Sequence, residues 1–266
     1  MFSLIATDLD GTVLRSDASM SERTAAALRA VQDAGAMLVP VTARPPAVTF
    51  PVAQEFDIRG VAICGNGALV VDLASHEVLE RRPLAPEAAR AVILAIREAV
   101  PGALFACEDG LQYRCEPGYP TIVPEDQRVI CDALDFFDVQ ISKLVCKQPR
   151  MDQAELREIV RAAVGEHASI FNSGPDWIEI HAHGVTKGAM LADLAASRGI
   201  PRERVIAFGD YTTDVPMLQW AGRGVAPASS FPEALRAADE VCAACEEDGV
   251  AIVLEQLLSE GRIGSA

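Results

Sequence analysis

Positive charge is scarce in this chain. Its 266 residues hold 23 Lys and Arg against 38 Asp and Glu, a net charge of −15. So acidic a surface repels phosphate backbones and argues against nucleic-acid binding as the main function. Only three of the cations are lysines, Lys143, Lys147 and Lys187, so a lysine at a chemically suggestive position carries weight. No apolar run is long enough to span a bilayer, so no membrane partner is expected. The opening Met1 to Asp8 has no basic stretch and meets an acid too early for a secretory signal. The seven cysteines, Cys64, Cys107, Cys115, Cys131, Cys146, Cys242 and Cys245, are odd in number and scattered. Reduced thiols in a cytoplasm fit that pattern better than a disulfide framework. Internal repeats and low-complexity linkers are absent too.

What is present is globular. Half of the residues are hydrophobic and 23% are charged, enough for a core in one large or two modest domains. Residues 3–7 form an apolar run that ends in an acidic turn. Residues 21–34 carry a helical stripe of Ala27, Leu28, Val31 and Ala34, with Ser21 as N-cap and Gly35 as stop. A strand at Met37–Val41, a helix from Pro45-Pro46 and a strand at Val61–Cys64 follow. The same rhythm returns near the end. Helices are read at 187–197, 214–221, 232–238 and 250–258, with strands at 204–208 and 224–226. Short apolar runs alternating with amphipathic helices indicate βαβ units and a parallel sheet.

The middle breaks the pattern. Ala103–Cys107 and Leu111–Cys115 flank Glu108-Asp109-Gly110, a hairpin signal. Tyr119 to Gln127 reads as loop and Met151–Val164 as helix. Strands at Ser169–Asn172 and Trp177–His181 surround Gly174-Pro175. This is an α+β insertion inside an α/β domain. His181 and His183 fall two apart, which on a strand puts both on one face.

Four segments could carry chemistry. Asp8-Leu9-Asp10-Gly11-Thr12 follows the first strand, and a turn at Gly11 lets both aspartates face one ion. Thr42-Ala43-Arg44 follows the second strand, where the Thr42 hydroxyl either donates to a phosphate or caps the next helix. Lys187 opens a helix, a poor place for a cation unless an anion is bound there. Otherwise its head reaches out to solvent. Asp210 directly follows a strand, and Asp214 begins the next helix. Hard oxygen ligands suit Mg²⁺, and Thr and Lys suit a phosphate. A carboxylate nucleophile beside a second carboxylate suits phosphoryl transfer through an aspartyl-phosphate.

The order and spacing of these four motifs resemble the haloacid dehalogenase superfamily phosphatases, in their Cof-like subfamily IIB. Cys64-Gly65-Asn66-Gly67-Ala68 and Glu247-Asp248-Gly249-Val250 also resemble that family. The resemblance implies a Rossmann-like α/β core with a parallel sheet, residues 1–81 and 184–266. It also implies an inserted α+β cap of the C2 type, residues 82–183. Asp8 corresponds to the nucleophile. Asp10 corresponds to the general acid and base, and its backbone carbonyl to a metal ligand. Gly11, Thr42, Ala43, Lys187 and Thr213 correspond to the phosphate site. Asp8, Asp10, Asp210 and Asp214 correspond to the metal site. Asn66 and His183 are the expected substrate-selecting positions.

Three departures from the family pattern stand out. Thr213 replaces the usual Asn, Ala43 the usual Gly, and Pro227-Ala228-Ser229-Ser230 the usual Met-Gly-Asn-Ala. The expected activity is a Mg²⁺-dependent phosphomonoesterase for a small cytoplasmic metabolite such as a sugar phosphate, working as a monomer or homodimer. A phosphomutase, a pathway-specific sugar-phosphate phosphatase, and a catalytically weak metabolite-binding regulator are the alternatives.

Overall fold

The computed structural model of the chain describes residues 1–110, 112–121, 123–171 and 177–265. Leu111, Asn172 and Gly174-Pro175, named above, lie outside them. The chain divides into two compact units, Met1–Glu80 with Thr186–Ala266, and Arg81–Val185. The inserted unit therefore starts at 81 against the expected 82 and ends at 185 against 183.

In chain order the first unit opens with β1 (Leu4–Thr7), α1 (Glu22–Asp33), β2 (Met37–Pro40), α2 (Pro46–Glu55), β3 (Val61–Cys64), β4 (Leu69–Asp72) and β5 (Val78–Arg81), whose last residue begins the second unit. The second unit holds α3 (Pro86–Ala99), β6 (Leu104–Glu108), β7 (Tyr113–Cys115), β8 (Arg128–Ile130), β9 (Lys143–Lys147), α4 (Gln153–Val164), β10 (Ala168–Phe171) and β11 (Ile178–Ala182). The first unit then resumes with α5 (Lys187–Ser197), β12 (Val205–Phe208), α6 (Val215–Trp220), β13 (Arg223–Pro227), α7 (Pro232–Ala237), β14 (Glu240–Cys242) and α8 (Gly249–Ser259).

Five strands of the first unit form a parallel sheet in the order β14-β13-β12-β1-β2. Buried on both faces, its central strands are apolar but for Thr7 rather than alternating, as parallel sheets require. Period-two geometry divides them between two cores. Ile5, Leu38, Ile206 and Phe208 pack with α1 and α8 on one face. Leu4, Ala6, Val39 and Ala207 pack with α5 and α6 on the other. Helix starts follow local chemistry: Ser21 accepts from the Thr24 N–H at 3.0 Å, and Thr186 from the Ala189 N–H at 3.0 Å. A three-stranded sheet, β3-β4-β5, adjoins through the parallel bridge Val41–Ile63. Its β4 and β5 were not expected.

The second unit is a six-stranded sheet in the order β10-β11-β9-β6-β7-β8, antiparallel except between β7 and β8. Phe105, Cys107, Leu144, Cys146, Ile178 and Ile180 pack with α3 and α4 on one face. On the opposite face Glu108 and Glu179 lie 3.4 and 3.1 Å from the buried Lys143 ammonium. The expectation that His181 and His183 share a strand face fails. β11 ends at Ala182, so His181 is a fully buried strand residue while His183 is exposed in the following turn. The Gly184 turn, φ +75°, ends the alternation one residue too soon for the pair.

All seven cysteines are free. No helix among the described residues is long and apolar enough to cross a membrane.

Candidate active site

The sheet order sets the site. β1 is followed in the chain by β2 on one side, while β12 lies on its other side and leads away to β13. The crevice beyond such a reversal is where open α/β sheets hold ligands. Thr7 pairs with Phe208 in register, and the Asp8 N–H extends the ladder to the Phe208 carbonyl at 2.9 Å. Asp8 and the Gly209-Asp210 turn thus leave the sheet side by side. Val41 donates its N–H to the Thr7 carbonyl at 2.8 Å, which brings Thr42 to the same edge.

Lys187, at the first turn of α5, is only 2% exposed. Its Nζ donates to Asp8 Oδ1 at 2.7 Å and to Asp214 Oδ1 at 2.6 Å. This excludes the solvent-directed reading of that lysine. Asp214 stands at the N-cap of α6 without capping it. Its Oδ2 instead accepts the backbone N–H groups of Asp210 at 3.0 Å and Tyr211 at 2.9 Å. The start of α5 is seated by the Cys64–Ala68 segment. Gly67 has φ +100°, and a Cβ there would lie 2.3 Å from the Thr186 carbonyl oxygen. Only glycine lets the two segments approach this closely.

The electrostatics show too little positive charge. Burial, then the Asp214 charge, push the Asp8 carboxyl well above its usual range, with Lys187 opposing. Burial and Asp214 likewise push Asp210 up to about 6, opposed by the Thr12 hydroxyl, which donates to Asp210 Oδ1 at 2.9 Å. Burial pulls Lys187 down, but Asp214 and Asp8 more than offset it and hold the ammonium above its ordinary value. One carboxylate oxygen from each of Asp8, Asp210 and Asp214 lies within 4.8 Å of the others. Three crowded carboxylates facing one ammonium are a fit for a hard divalent cation. The two oxygens of Asp214 already accept the hydrogen bonds from Lys187, Asp210 and Tyr211. Asp214 is therefore better placed to orient its neighbours than to bind metal directly, whereas Asp8 and Asp210 keep lone pairs available.

The remaining candidates fall at the rim or behind it. Asp10 is half-exposed and forms a two-pronged ion pair with Arg44, from Nε at 2.7 Å and from Nη2. Gly11 has φ +78°, and a Cβ there would lie 2.5 Å from Asp210 Oδ2. Thr42 is fully buried and accepts the Arg44 N–H at 3.1 Å. The helix-cap role weighed for it belongs to Pro45, which caps α2 without a side-chain bond. Ala43 is half-buried between them, and Thr213 is buried in the short turn before α6. Asn66 is fully buried in a left-handed conformation, φ 55°. His183 lies in the second unit, exposed in the turn after β11.

Thr12 and Arg44 escaped the reading of the sequence, although both lie within its motifs. The signal for Thr12 was its place directly after Asp-x-Asp-Gly. Arg44 offered none beyond proximity to Thr42. In the second unit the missed residues are Lys143 and Glu179, with Trp177 Nε1 donating to Glu179 at 3.3 Å. His181 Nε2 lies 3.6 Å from Glu179 Oε2. Burial pulls Lys143 down, but Glu108 and Glu179 outweigh it and keep the ammonium above its ordinary value.

Residues 5–254 match the haloacid dehalogenase-like hydrolase family. Among curated proteins, an HMP-PP phosphatase of Klebsiella pneumoniae is 29% identical, covering 88% of this chain and 86% of its own length. A 5-amino-6-(5-phospho-D-ribitylamino)uracil phosphatase of Bacillus subtilis is 27% identical over 96% of this chain and 97% of its own. A solved haloacid dehalogenase-like hydrolase from Bacteroides thetaiotaomicron superposes with a TM-score of 0.81 at 26% identity, covering 97% of this chain and 100% of that one.

Proposed function

The chain belongs to the haloacid dehalogenase-like hydrolases and is a phosphatase of that superfamily, and from that premise we propose that it hydrolyses a small phosphorylated metabolite through an aspartyl-phosphate on Asp8. The observation that carries this reading is the buried Lys187 ammonium bridging Asp8 and Asp214. A carboxylate is a poor nucleophile toward a phosphate dianion, because like charges repel. Lys187 supplies fixed positive charge where both carboxylate and phosphate must sit, without reorganisation at the moment of reaction.

In the first step an Asp8 oxygen bonds to phosphorus as the bond to the leaving oxygen breaks, and Asp10 gives that oxygen a proton. In the second, Asp10 takes a proton from water as the water oxygen bonds to phosphorus and Asp8 is released. Thr42, Thr213 and the backbone at Gly11 and Ala43 are assigned to hold the phosphate oxygens. Asp8, Asp210 and the Asp10 carbonyl would hold Mg²⁺, with Asp214 supporting them. When bound, the ion supplies charge that offsets the build-up of negative charge on the phosphoryl oxygens.

These groups all lie in the first unit and recognise what every candidate substrate shares. Choice among leaving groups is assigned to Arg81–Val185, with His183 as the first residue to test. A sugar or sugar-alcohol phosphate heads the substrate list, since the Bacillus subtilis relative is named for a ribityl phosphate. The test is phosphate release from a panel of phosphorylated metabolites with Mg²⁺ and with chelator. Mg²⁺-dependent turnover of a subset is expected. No release from any member, or equal release in chelator, would refute the proposal.

A further inference from the structure

We infer that Arg44 is a positioning residue for the Asp10 carboxyl and controls how well the enzyme expels poor leaving groups. The inference rests on the phosphatase reading above and goes beyond it. Arg44 forks onto Asp10 with Nε 2.7 Å from Oδ2 and Nη2 on Oδ1. The two residues lie 34 positions apart, on the loops that follow β1 and β2.

Asp10 needs such a restraint. Its side chain is 55% exposed, and among the described residues Arg44 alone donates to its carboxylate. Left to itself, so exposed a carboxylate would sample several rotamers in water. A general acid works only within hydrogen-bond reach of the oxygen it protonates. The two-pronged guanidinium pair fixes the carboxylate plane as well as its place.

Arg44 is itself well anchored. Its N–H donates to Thr42 Oγ1 at 3.1 Å, and its carbonyl accepts from Gly65 N–H at 3.1 Å. Pro45 and Pro46 follow, and their rings hold φ. The guanidinium thus extends from a backbone tied within its own loop and to the loop that follows β3. Each carboxylate oxygen has a second lone pair, so the fork orients Asp10 without occupying every position at which a proton can be carried.

The pair is too exposed to matter much for stability, since exposed ion pairs contribute about 0–1 kcal/mol. Its consequence should be kinetic and should depend on the leaving group. An alkoxide leaving from an alkyl phosphate needs a proton. The p-nitrophenolate ion leaves without one. In the first step a misplaced Asp10 therefore harms the first substrate far more than the second, while its later role toward water is the same for both.

The experiment compares Arg44→Met and Arg44→Lys with wild type on p-nitrophenyl phosphate and on the best alkyl phosphate of the metabolite panel. Turnover of p-nitrophenyl phosphate also reports that each variant is folded. In Arg44→Met the ratio of alkyl to aryl kcat/KM, which reports the first step alone, is expected to fall about tenfold or more, within the range of general acid–base effects. Inhibition by inorganic phosphate should stay unchanged. Arg44→Lys, which keeps the charge but not the fork, should behave like Arg44→Met. The double variant with Asp10→Asn should lose no more of the ratio than Asp10→Asn alone.

Equal losses of kcat/KM on both substrates, with phosphate inhibition unchanged, would make Arg44 a structural tie between loops. A raised KM on both, with weaker phosphate inhibition, would make it a phosphate ligand. Either result overturns the inference while leaving the phosphatase reading in place. If wild type hydrolyses no phosphate ester, that reading fails and takes this inference with it.

Discussion

Lys187 Nζ sits 2.7 Å from Asp8 Oδ1 although the two residues are 179 positions apart in the chain. The whole inserted unit lies between them, so the site exists only when both segments of the first unit have assembled. Replacing Lys187 by Met leaves Asp8 and Asp214 buried without their counter-charge. Breaking a buried ion pair in this way costs about 3–5 kcal/mol. Lys187→Met is expected to lose activity by about two orders of magnitude or more, and its melting temperature in chelator should fall clearly below wild type. Mg²⁺ should recover part of the lost stability and none of the activity. A variant as stable as wild type in chelator would contradict the charge shortage inferred here.

Asp210 links stability to pH and to metal. Its folded value of about 6 stands above the ordinary 3.8. Between those two values the folded protein holds a proton that the unfolded chain has released, so stability is greatest below about 4 and falls as pH rises through 6. The loss on this group alone is on the order of 3 kcal/mol. Metal binding requires the deprotonated carboxylate. The Mg²⁺-induced rise in melting temperature should therefore be larger at pH 7.5 than at pH 5, to be measured by paired melts with chelator. Asp210→Asn should show a shallower decline with pH in the metal-free state. An identical Mg²⁺ shift at both pH values would speak against Asp210 as a ligand.

Gly11 tests the closeness of the two acidic loops. At φ +78° an alanine is strained, and its Cβ would lie 2.5 Å from Asp210 Oδ2. The backbone cost alone is about 1–3 kcal/mol, and the carboxylate must shift. Gly11→Ala is expected to weaken Mg²⁺ activation at least about tenfold, read from the metal concentration giving half-maximal rate. Unchanged activation would mean that the Asp210 carboxylate can move freely.

Lys143 tests the second unit. Its ammonium is buried between Glu108 and Glu179, so Lys143→Met strands two carboxylates. A loss of about 3 kcal/mol is expected, visible as a lower urea midpoint for the transition of that unit. Lys143→Met with Glu179→Gln should recover part of it. No shift in either variant would indicate that water reaches this cluster freely.

The sheet of the first unit was legible because its strands are short apolar runs between helices with a readable start, as Ser21 shows. The acids and Lys187 were legible because each stands at a strand end or helix start, and chain topology alone carries such positions to one edge. Arg44 was not. With twenty arginines in the chain, one more carries no spacing signal, and its partner is fixed only by how the loops after β1 and β2 fold. Strands β4 and β5 were missed because neither stands in the βαβ rhythm. The exposed Leu79 and Glu80 also give β5 no apolar face. The histidines were misplaced because alternation describes a strand and says nothing about where it ends. Ala182 is the last β11 residue, so burial of His181 and exposure of His183 followed from a boundary rather than from a pattern.

The central claim is that Asp8 becomes covalently phosphorylated. The direct measurement is to quench the enzyme in acid during turnover of p-nitrophenyl phosphate, reduce it with borohydride, digest it and sequence the peptides by mass spectrometry. An aspartyl-phosphate is reduced to homoserine, whereas a free carboxylate is not. Homoserine at position 8 in wild type, absent from Asp8→Asn and from enzyme quenched without substrate, is the expected result. Homoserine at Asp10, Asp210 or Asp214, or no reduced aspartate in an enzyme that is turning over, would contradict it.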